Sequence, residues 1–131
     1  KTYTEYAEKC YAIAHKFAQV IQDCRAAKIT VVGYGAPAKG NTLMNFANEG
    51  PDFIVDDNPL KQLKFSPGMG IPIYPASYLT LNYYETNRVC FVPLAWNFYD
   101  EIVDKIRQLR PEHTHNDIFI RYFPTFEVQN G

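Results

Sequence analysis

The fold is decided by residues 28–38, which read KITVVGYGAPA. The β-branched run Ile29-Thr30-Val31-Val32 predicts a strand that stops at the glycines of Gly33-Tyr34-Gly35. An apolar run that ends in glycine is typical of a buried parallel strand. Pro37 suits the first turn of a helix, because that position needs no N–H. Strand, glycine turn and helix therefore follow one another here.

The same alternation continues along the chain. Further strands are predicted at 52–56, 71–73, 88–94 and 118–120, a short closing strand at 126–128, helices at 76–81 and 97–109, and a long loop at 57–70. Strands that alternate with helices predict a doubly wound α/β fold with a mostly parallel sheet and helices on both faces. Pro93 lacks an N–H donor, so its strand is expected to lie at a sheet edge or to end its ladder near Val92.

A long amphipathic helix is predicted before the first strand. Its apolar residues recur at alternating steps of four and three from Tyr3 to Ile21, and it is expected to end near Ala26 or Ala27. We interpret residues 1–27 as a connecting helix that packs on or leads into the domain, and residues 28–131 as the domain itself. The apolar stripe of this helix also allows a non-catalytic interaction module whose first helix docks on a partner. Packing of the stripe on the domain's own sheet is the favoured interpretation.

Composition excludes several classes of protein. The chain has 131 residues, 47% of them apolar, and a net charge of −1, which argues against disorder and against the basic face of a nucleic-acid-binding domain. It contains no apolar run of membrane-spanning length and nothing at its start that resembles a signal peptide. We therefore expect a cytoplasmic domain without nucleic-acid or membrane partners. The chain begins with Lys1, and we expect it to be a piece of a larger protein.

Cysteine and histidine spacing gives no metal site. Cys10, Cys24 and Cys90 are widely spaced and form no C-x-x-C pair, and they are most simply small buried hydrophobes in a reducing compartment. His113-Thr114-His115 lies in a polar turn, and a lone H-x-H is more often solvated than metal-bound. We predict no metal.

The glycine turn carries the strongest local signal for a ligand. Gly33 to Ala38 form a G-x-G-x-x-A, followed a little over 20 residues later by Asp56 and Asp57, which is the pattern of a dinucleotide site or of a tight turn that binds nothing. Asn41-Thr42 stands where a phosphate-binding P-loop needs lysine and then serine or threonine, so the sequence does not match a P-loop NTPase. Lys39 is either a cation beside an anion site or a solvated helix lysine.

Two further segments could contact a ligand. The polar run that begins at Asp56 follows the second strand, beside the crevice where open parallel sheets bind ligands, although Asp-Asn-Pro is also ordinary turn chemistry. Trp96 could stack on a base or sugar, and Asn97 could offer an amide, but packing and helix capping are favoured for this pair. The buried face of the helix that follows is predicted to comprise Phe98, Ile102, Val103, Ile106 and Leu109.

Four motifs in order carry a resemblance to a known family. They are Gly33 to Leu43, Val55 to Gln62, Pro67-Gly68 with Ile71 to Ile73, and Ala95 to Asn97 with Glu101-Ile102. Together they resemble the C-terminal domain of S-adenosylmethionine-dependent C-methyltransferases that act on nucleotide-linked deoxysugars, over about Tyr6 to Val128. In that family a zinc-binding segment and a central methyltransferase domain precede a Rossmann-like last domain, and neither earlier part is in this chain.

The resemblance implies a binding role for this domain. It would bind and orient a nucleotide-diphosphate-linked keto-deoxysugar, while the central domain of the same parent protein holds S-adenosylmethionine and transfers the methyl group. The residues implied to face the substrate are Tyr34, Gly35, Ala36, Lys39, Gly40, Asn41, Asp57, Asn58, Lys61, Trp96 and Asn97. No catalytic residue and no cofactor are expected in this chain, and we expect no methyl transfer by it alone.

The sequence departs from the family pattern in two places. Leu63 stands where the family has glycine, and Met69-Gly70 stands where it has a small polar residue and histidine, so a histidine contact to the substrate is not expected here. The alternative functions are an NAD(P)-binding domain of an oxidoreductase, which the G-x-G-x-x-A and the following acid favour, and the non-catalytic interaction module.

Replacement of Lys39 tests the anion site directly. If its ammonium pairs with phosphate, Lys39→Ala should weaken the binding of a nucleoside diphosphate by roughly 1 to 2 kcal/mol, because a charge-assisted hydrogen bond is lost. Calorimetric titration measures the change. Unaltered affinity would remove Lys39 from the site.

Overall fold

The computed structural model of the protein describes residues 2–35, 50–57, 64–65, 70–80, 88–113, 116–122 and 126–130. Two α-helices in these ranges are α1 (Thr2–Ala26) and α2 (Tyr99–Leu109). The strands are β1 (Thr30–Tyr34), β2 (Phe53–Val55), β3 (Lys64–Phe65), β4 (Pro72–Tyr74), β5 (Val89–Pro93), β6 (Ile118–Arg121) and β7 (Glu127–Asn130). Three 3₁₀ turns cover Ala76–Thr80, Trp96–Phe98 and Pro111–His113. The helix predicted to begin at Pro37 lies outside the described residues.

The strands form one sheet in the order β3-β4-β2-β1-β5-β6-β7. The four inner pairs, β4–β2, β2–β1, β1–β5 and β5–β6, are parallel, whereas β3 and β7 add antiparallel edges. The mostly parallel α/β sheet predicted from the sequence is thus confirmed. The stretch 57–70 was expected to lack secondary structure, and this is wrong at β3, which pairs with β4.

The β5 strand lies inside the sheet, between β1 and β6. The expectation that Pro93 marks an edge strand is therefore wrong, while the alternative, a ladder that ends near Val92, is confirmed. Pro93 is the last residue of the strand and pairs with Tyr34. Because proline has no N–H, the next donor is Leu94, whose N–H donates to the Tyr34 carbonyl at 2.9 Å.

Helices cover both faces of the sheet, as predicted. On one face Phe17 and Ile21 of α1 pack against Val31 of β1, and on the other Ile106 of α2 packs in a second cluster with Val32. Adjacent strand residues point to opposite faces, so Val31 and Val32 serve different cores. Burial of side chains as large as Phe17 and Ile21, both 0% exposed, stabilises the fold by about 1.5–3 kcal/mol each.

The α1 helix ends at Ala26, as predicted, through a backbone motif that needs no glycine. The Ile29 N–H donates to the Cys24 carbonyl at 2.8 Å and the Lys28 N–H to the Arg25 carbonyl at 3.0 Å. This pair of bonds is the Schellman arrangement, with Lys28 in the left-handed region at φ 60°. The turn feeds the chain directly into β1. Cys24 and Cys90 are buried and form no disulfide, which confirms the prediction of small core residues for these two, whereas Cys10 is only partly buried.

The first strand ends at Tyr34, within the stretch Gly33-Tyr34-Gly35 where the sequence predicts its end, and Gly33 is a packing position inside the strand. A Cβ at this position would lie 3.0 Å from Leu94 Cδ1 and 3.2 Å from both Ile54 Cγ1 and Pro51 Cγ. The missing side chain therefore lets neighbouring residues close over β1. The strand continues one residue further and delivers Tyr34 to its carboxyl end.

Two aspartates fix the amino ends of the central strands. Asp52, just before β2, accepts the Val31 N–H of β1 at 2.8 Å. Asp117, just before β6, accepts the Val89 N–H of β5 at 3.0 Å and forms a buried pair with Arg110, whose Nε lies 2.8 Å from Oδ2. Each carboxylate thus ties the start of one strand to its neighbour.

The buried Asp117 makes a clear stability prediction. Its side chain is 2% exposed and that of Arg110 1% exposed, so Asp117→Ala would leave a buried guanidinium without its partner. We expect the free energy of unfolding to fall by roughly 3–5 kcal/mol, measured by urea denaturation.

The matched control is Asp104→Ala, at an exposed position of α2, which should change the free energy of unfolding by less than about 0.5 kcal/mol. Equal losses in the two variants would show that the Arg110–Asp117 pair does not hold the amino end of β5.

Candidate functional site

A cavity of about 310 Å³ opens at the carboxyl ends of the central strands. One wall comes from the ends of β1 and β2 and consists of Tyr34, Gly35, Asp56 and Asp57. The other wall comes from the connection after β5 and from α2, and consists of Ala95, Phe98, Glu101, Ile102 and Lys105.

The position of this cavity follows from the strand order. From β1 the chain reaches β2 on one side, and β5 lies on the other side of β1. Connections that leave a parallel sheet in opposite directions open a crevice outside the carboxyl ends of the strands, and ligands of doubly wound sheets bind there. The topology therefore makes this cavity the candidate site.

A chain of hydrogen bonds crosses the cavity from β1 to α2. The Tyr34 hydroxyl lies 3.0 Å from both carboxylate oxygens of Asp57 and donates to them. Lys105 Nζ, from α2, lies 3.0 Å from Asp57 Oδ2. The side chains of Lys105 and Asp57 are 59% and 51% exposed, so their ion pair contributes little to stability and is open to exchange with a ligand.

Tyr34 is held in its neutral form. Burial raises the pKa of its phenol above the usual value, and the hydrogen bond to Asp57 and the charges of Asp57 and Asp56 raise this pKa further. A tyrosine with a raised pKa keeps its proton near neutral pH. Tyr34 therefore acts here as a hydrogen-bond donor that orients Asp57, and not as a base.

A second hollow of about 350 Å³ adjoins the first. The two share Tyr34, Asp57 and Lys105, and the second extends towards Ala76 and Leu109. The Asp57–Lys105 ion pair therefore stands between two adjacent spaces. Each alone is at the lower end of the 300–1,000 Å³ or so that is usual for small-molecule sites.

The predicted glycine turn is confirmed at Gly35, where the chain leaves β1. Its φ is 83°, a conformation that residues with side chains rarely adopt, and its N–H donates to the Val55 carbonyl at 2.7 Å. This bond joins the ends of β1 and β2. Replacement by any residue with a Cβ would strain the turn at the wall of the cavity.

Three of the residues implied by the family resemblance lie together at this cavity, namely Tyr34, Gly35 and Asp57. Six others lie outside the described residues: Ala36, Lys39, Gly40, Asn41, Asn58 and Lys61.

The remaining two are away from the cavity walls. Trp96 is partly buried and packs against the core on the α1 face, and Asn97 is exposed. The predicted cap at Asn97 is wrong, because a 3₁₀ turn intervenes and α2 begins at Tyr99, with Phe98 in the cap position and no capping side chain. The later start of α2 also changes which aromatic side chain is buried at its first turn. Phe98, predicted to be buried, is 51% exposed, and Tyr99 takes the buried place at 3% exposed.

Five residues of the cavity wall were not predicted to contact a ligand: Ala95, Phe98, Glu101, Ile102 and Lys105. The spacing of Glu101 and Lys105 was a usable signal, since residues four apart lie on one face of a helix. For Phe98 the sequence carried a misleading signal, because its spacing to Ile102 matches the buried stripe of α2.

Within the ranges given above, His, Cys, Asp and Glu side chains form no group of three or more that could hold a metal ion. None of the helices described is long and apolar enough to cross a bilayer.

Comparison with known proteins decides the family. The family described as "C-methyltransferase C-terminal domain" matches residues 1–124. The chain belongs to this family. The chain is also similar to the C-methyltransferase NovU of Streptomyces niveus, with 32% identity over 112 residues. That match covers 81% of this chain and 25% of NovU, so the domain corresponds to about a quarter of that relative's length.

A solved structure with similarity to the domain is the crystal structure of UDP-D-quinovosamine 4-dehydrogenase from Vibrio fischeri. The match has 19% sequence identity and a TM-score of 0.47, and covers 79% of this chain and 93% of the dehydrogenase chain. We draw no functional argument from a similarity at this level.

Raised tyrosine pKa values predict a loss of stability in alkali. The pKa of Tyr34 is raised, burial raises the pKa of Tyr99 to about 12, and burial also raises that of Tyr122. As pH rises through about 10, the unfolded chain releases phenol protons before the folded domain does. The free energy of unfolding should therefore be level below about pH 9 and fall above about pH 10, as measured by urea denaturation.

Tyr34→Phe should make this decline shallower, whereas Tyr11→Phe, at a position 64% exposed, should leave it as in the wild type. The same decline in all three proteins would contradict the role of burial at Tyr34.

Proposed function

We propose that this domain binds a nucleotide-diphosphate-linked keto-deoxysugar and orients it for a methyltransferase domain of the same parent protein. The observation that carries the proposal is the cavity at the carboxyl ends of β1, β2 and β5, crossed by Tyr34, Asp57 and Lys105. Membership of the family supports the reaction class, and the place of the cavity in the sheet supports the binding role.

In the proposal, this chain contributes to the reaction by positioning the substrate. Tyr34 orients the Asp57 carboxylate, and Lys105 adds a cation from α2. In the proposal, six further residues implied by the family resemblance add to this surface: Ala36, Lys39, Gly40, Asn41, Asn58 and Lys61. Trp96 and Asn97, which do not line the described cavity, are not needed for it. Rigid placement of a substrate can lower a barrier by several kcal/mol without any proton transfer by the residues that hold it.

S-adenosylmethionine supplies the methyl group in this reaction class, and in the proposal the methyltransferase domain of the parent protein holds it. Its methionine carboxylate needs cations or N–H donors, and in the described walls Asp57 already engages the ammonium of Lys105. In the methyltransferase domain a base would remove a proton next to the sugar keto group, and the resulting carbanion would take the methyl from the sulfonium, which leaves as S-adenosylhomocysteine.

An NAD(P)-binding oxidoreductase domain is the second candidate. The observation that favours it is Asp57 at the carboxyl end of β2, where dinucleotide folds place an acid on the ribose. Against it, the chain belongs to the C-methyltransferase C-terminal domain family. The interaction module has lost its main support, because the described part of the α1 stripe packs on the domain's own sheet.

A thermal-shift panel tests the proposal. The chain is mixed separately with dTDP, UDP, GDP, CDP, NADH and S-adenosylmethionine, and its melting temperature is measured. A ligand at about 100 times its dissociation constant stabilises the folded state by roughly 2.7 kcal/mol. We expect a rise with at least one nucleoside diphosphate and none with S-adenosylmethionine.

Ala95→Leu adds bulk to the cavity wall and tests whether the ligand binds there. The matched control is Ala12→Leu, on the exposed side of α1. The rise should shrink in the first variant and persist in the second. A rise with NADH alone would overturn the proposal in favour of the oxidoreductase.

A further inference from the structure

The described walls of the cavity are acidic. Asp56, Asp57 and Glu101 contribute three carboxylates, and Lys105 contributes one ammonium. That ammonium is already paired, since its Nζ lies 3.0 Å from Asp57 Oδ2. Like charges close together repel, and the penalty grows as water is displaced. A doubly charged diphosphate placed among these residues would therefore be disfavoured.

The opposite wall offers an aromatic ring. Phe98 is 51% exposed and lines the cavity beside Ala95 and Ile102. The other two exposed large hydrophobics of the described chain, Tyr11 and Val128, do not line it. An aromatic side chain on an apolar wall offers a stacking surface for a base or for the apolar face of a sugar ring.

We propose that this cavity binds an uncharged hydroxylated ring of the ligand, and not its diphosphate. Phe98 stacks on one face of the ring, and the Asp57 carboxylate, oriented by Tyr34, accepts hydrogen bonds from its hydroxyls. The inference rests on the proposed function, and it adds which part of the nucleotide sugar the cavity takes. Phe98 is a binding residue that the sequence analysis had assigned to the buried core.

Carboxylates suit hydroxyl groups for a chemical reason. An ionised carboxylate only accepts hydrogen bonds, and bonds to a charged acceptor are stronger than those between neutral groups. Asp57 has further acceptor capacity beside the Tyr34 hydroxyl and Lys105, because a carboxylate carries about four lone-pair sites. The hydroxyls of a ribose or a hexose supply the matching donors.

The two possibilities, ring and diphosphate, predict opposite effects of Asp57→Asn. If the cavity holds a ring, loss of the charged acceptor weakens binding, by about fivefold to tenfold. If it holds the diphosphate, loss of a negative charge and release of Lys105 strengthen binding. Asp104→Asn is the matched charge control, because Asp104 is exposed on α2 and does not line the cavity, so this change should alter affinity less than twofold.

Calorimetric titration of the 131-residue chain with UDP, dTDP, UDP-glucose and dTDP-glucose measures these affinities. Phe98→Ala should weaken binding about fivefold to tenfold, Phe98→Tyr should retain it, and the exposed Val128→Ala should have no effect. If Phe98→Ala weakens the free diphosphates and the nucleotide sugars alike, the ring is the nucleoside. If it weakens the nucleotide sugars alone, the ring is the hexose.

The outcomes separate this inference from the proposed function. Wild-type binding that Phe98→Ala leaves unchanged, or that Asp57→Asn strengthens, would overturn the ring assignment while the binding role stands. Failure of the wild type to bind any of the four probes would overturn the proposed function itself. Inorganic pyrophosphate should compete equally well in wild type and Phe98→Ala, and a selective loss in the variant would also contradict the assignment.

Discussion

The junction of β1 and β5 holds the cavity in place. A Cβ on Gly33 would lie 3.0 Å from Leu94 Cδ1, so glycine lets Leu94 pack closely on β1. The Leu94 N–H donates to the Tyr34 carbonyl, beyond the point where Pro93 ends the regular ladder. β5 therefore ends beside Tyr34, and Ala95 of the turn that follows lines the cavity together with Tyr34.

The two ends of the sheet are built on different principles. At the amino ends, Asp52 and Asp117 each accept an N–H from a neighbouring strand, and the buried Asp117 is neutralised by Arg110. At the carboxyl ends, Asp57 is half exposed, and its partners Tyr34 and Lys105 leave it accessible from the cavity. Asp117, 2% exposed, ties two strands together, whereas Asp57, 51% exposed, is open to a ligand, because the burial of these two aspartates differs.

Phe98 shows how a small change of local structure creates a candidate binding residue. The 3₁₀ turn at Trp96–Phe98 delays the start of α2, which directs Tyr99 into the core and Phe98 outwards. Helical periodicity read along the sequence assumes a regular helix from its first turn, so it assigned Phe98 to the core. Trp96 packs against the core on the α1 face, as favoured from the sequence, and Phe98 is the aromatic residue that lines the cavity.

The mostly parallel sheet, the existence of α1 and α2 and the end of α1 follow from the sequence, because they depend on local patterns of apolar residues, glycine and proline, whereas β3 does not. Four motifs in order indicate the family, and the sequence also points to Tyr34, Gly35 and Asp57, at the carboxyl ends of β1 and β2. The central place of β5, the contact between Lys105 and Asp57 and the exposure of Phe98 at the cavity come from the tertiary structure. Those outcomes depend on strand order and on contacts between residues far apart in the chain, such as the 48 positions between Asp57 and Lys105, which local patterns do not encode.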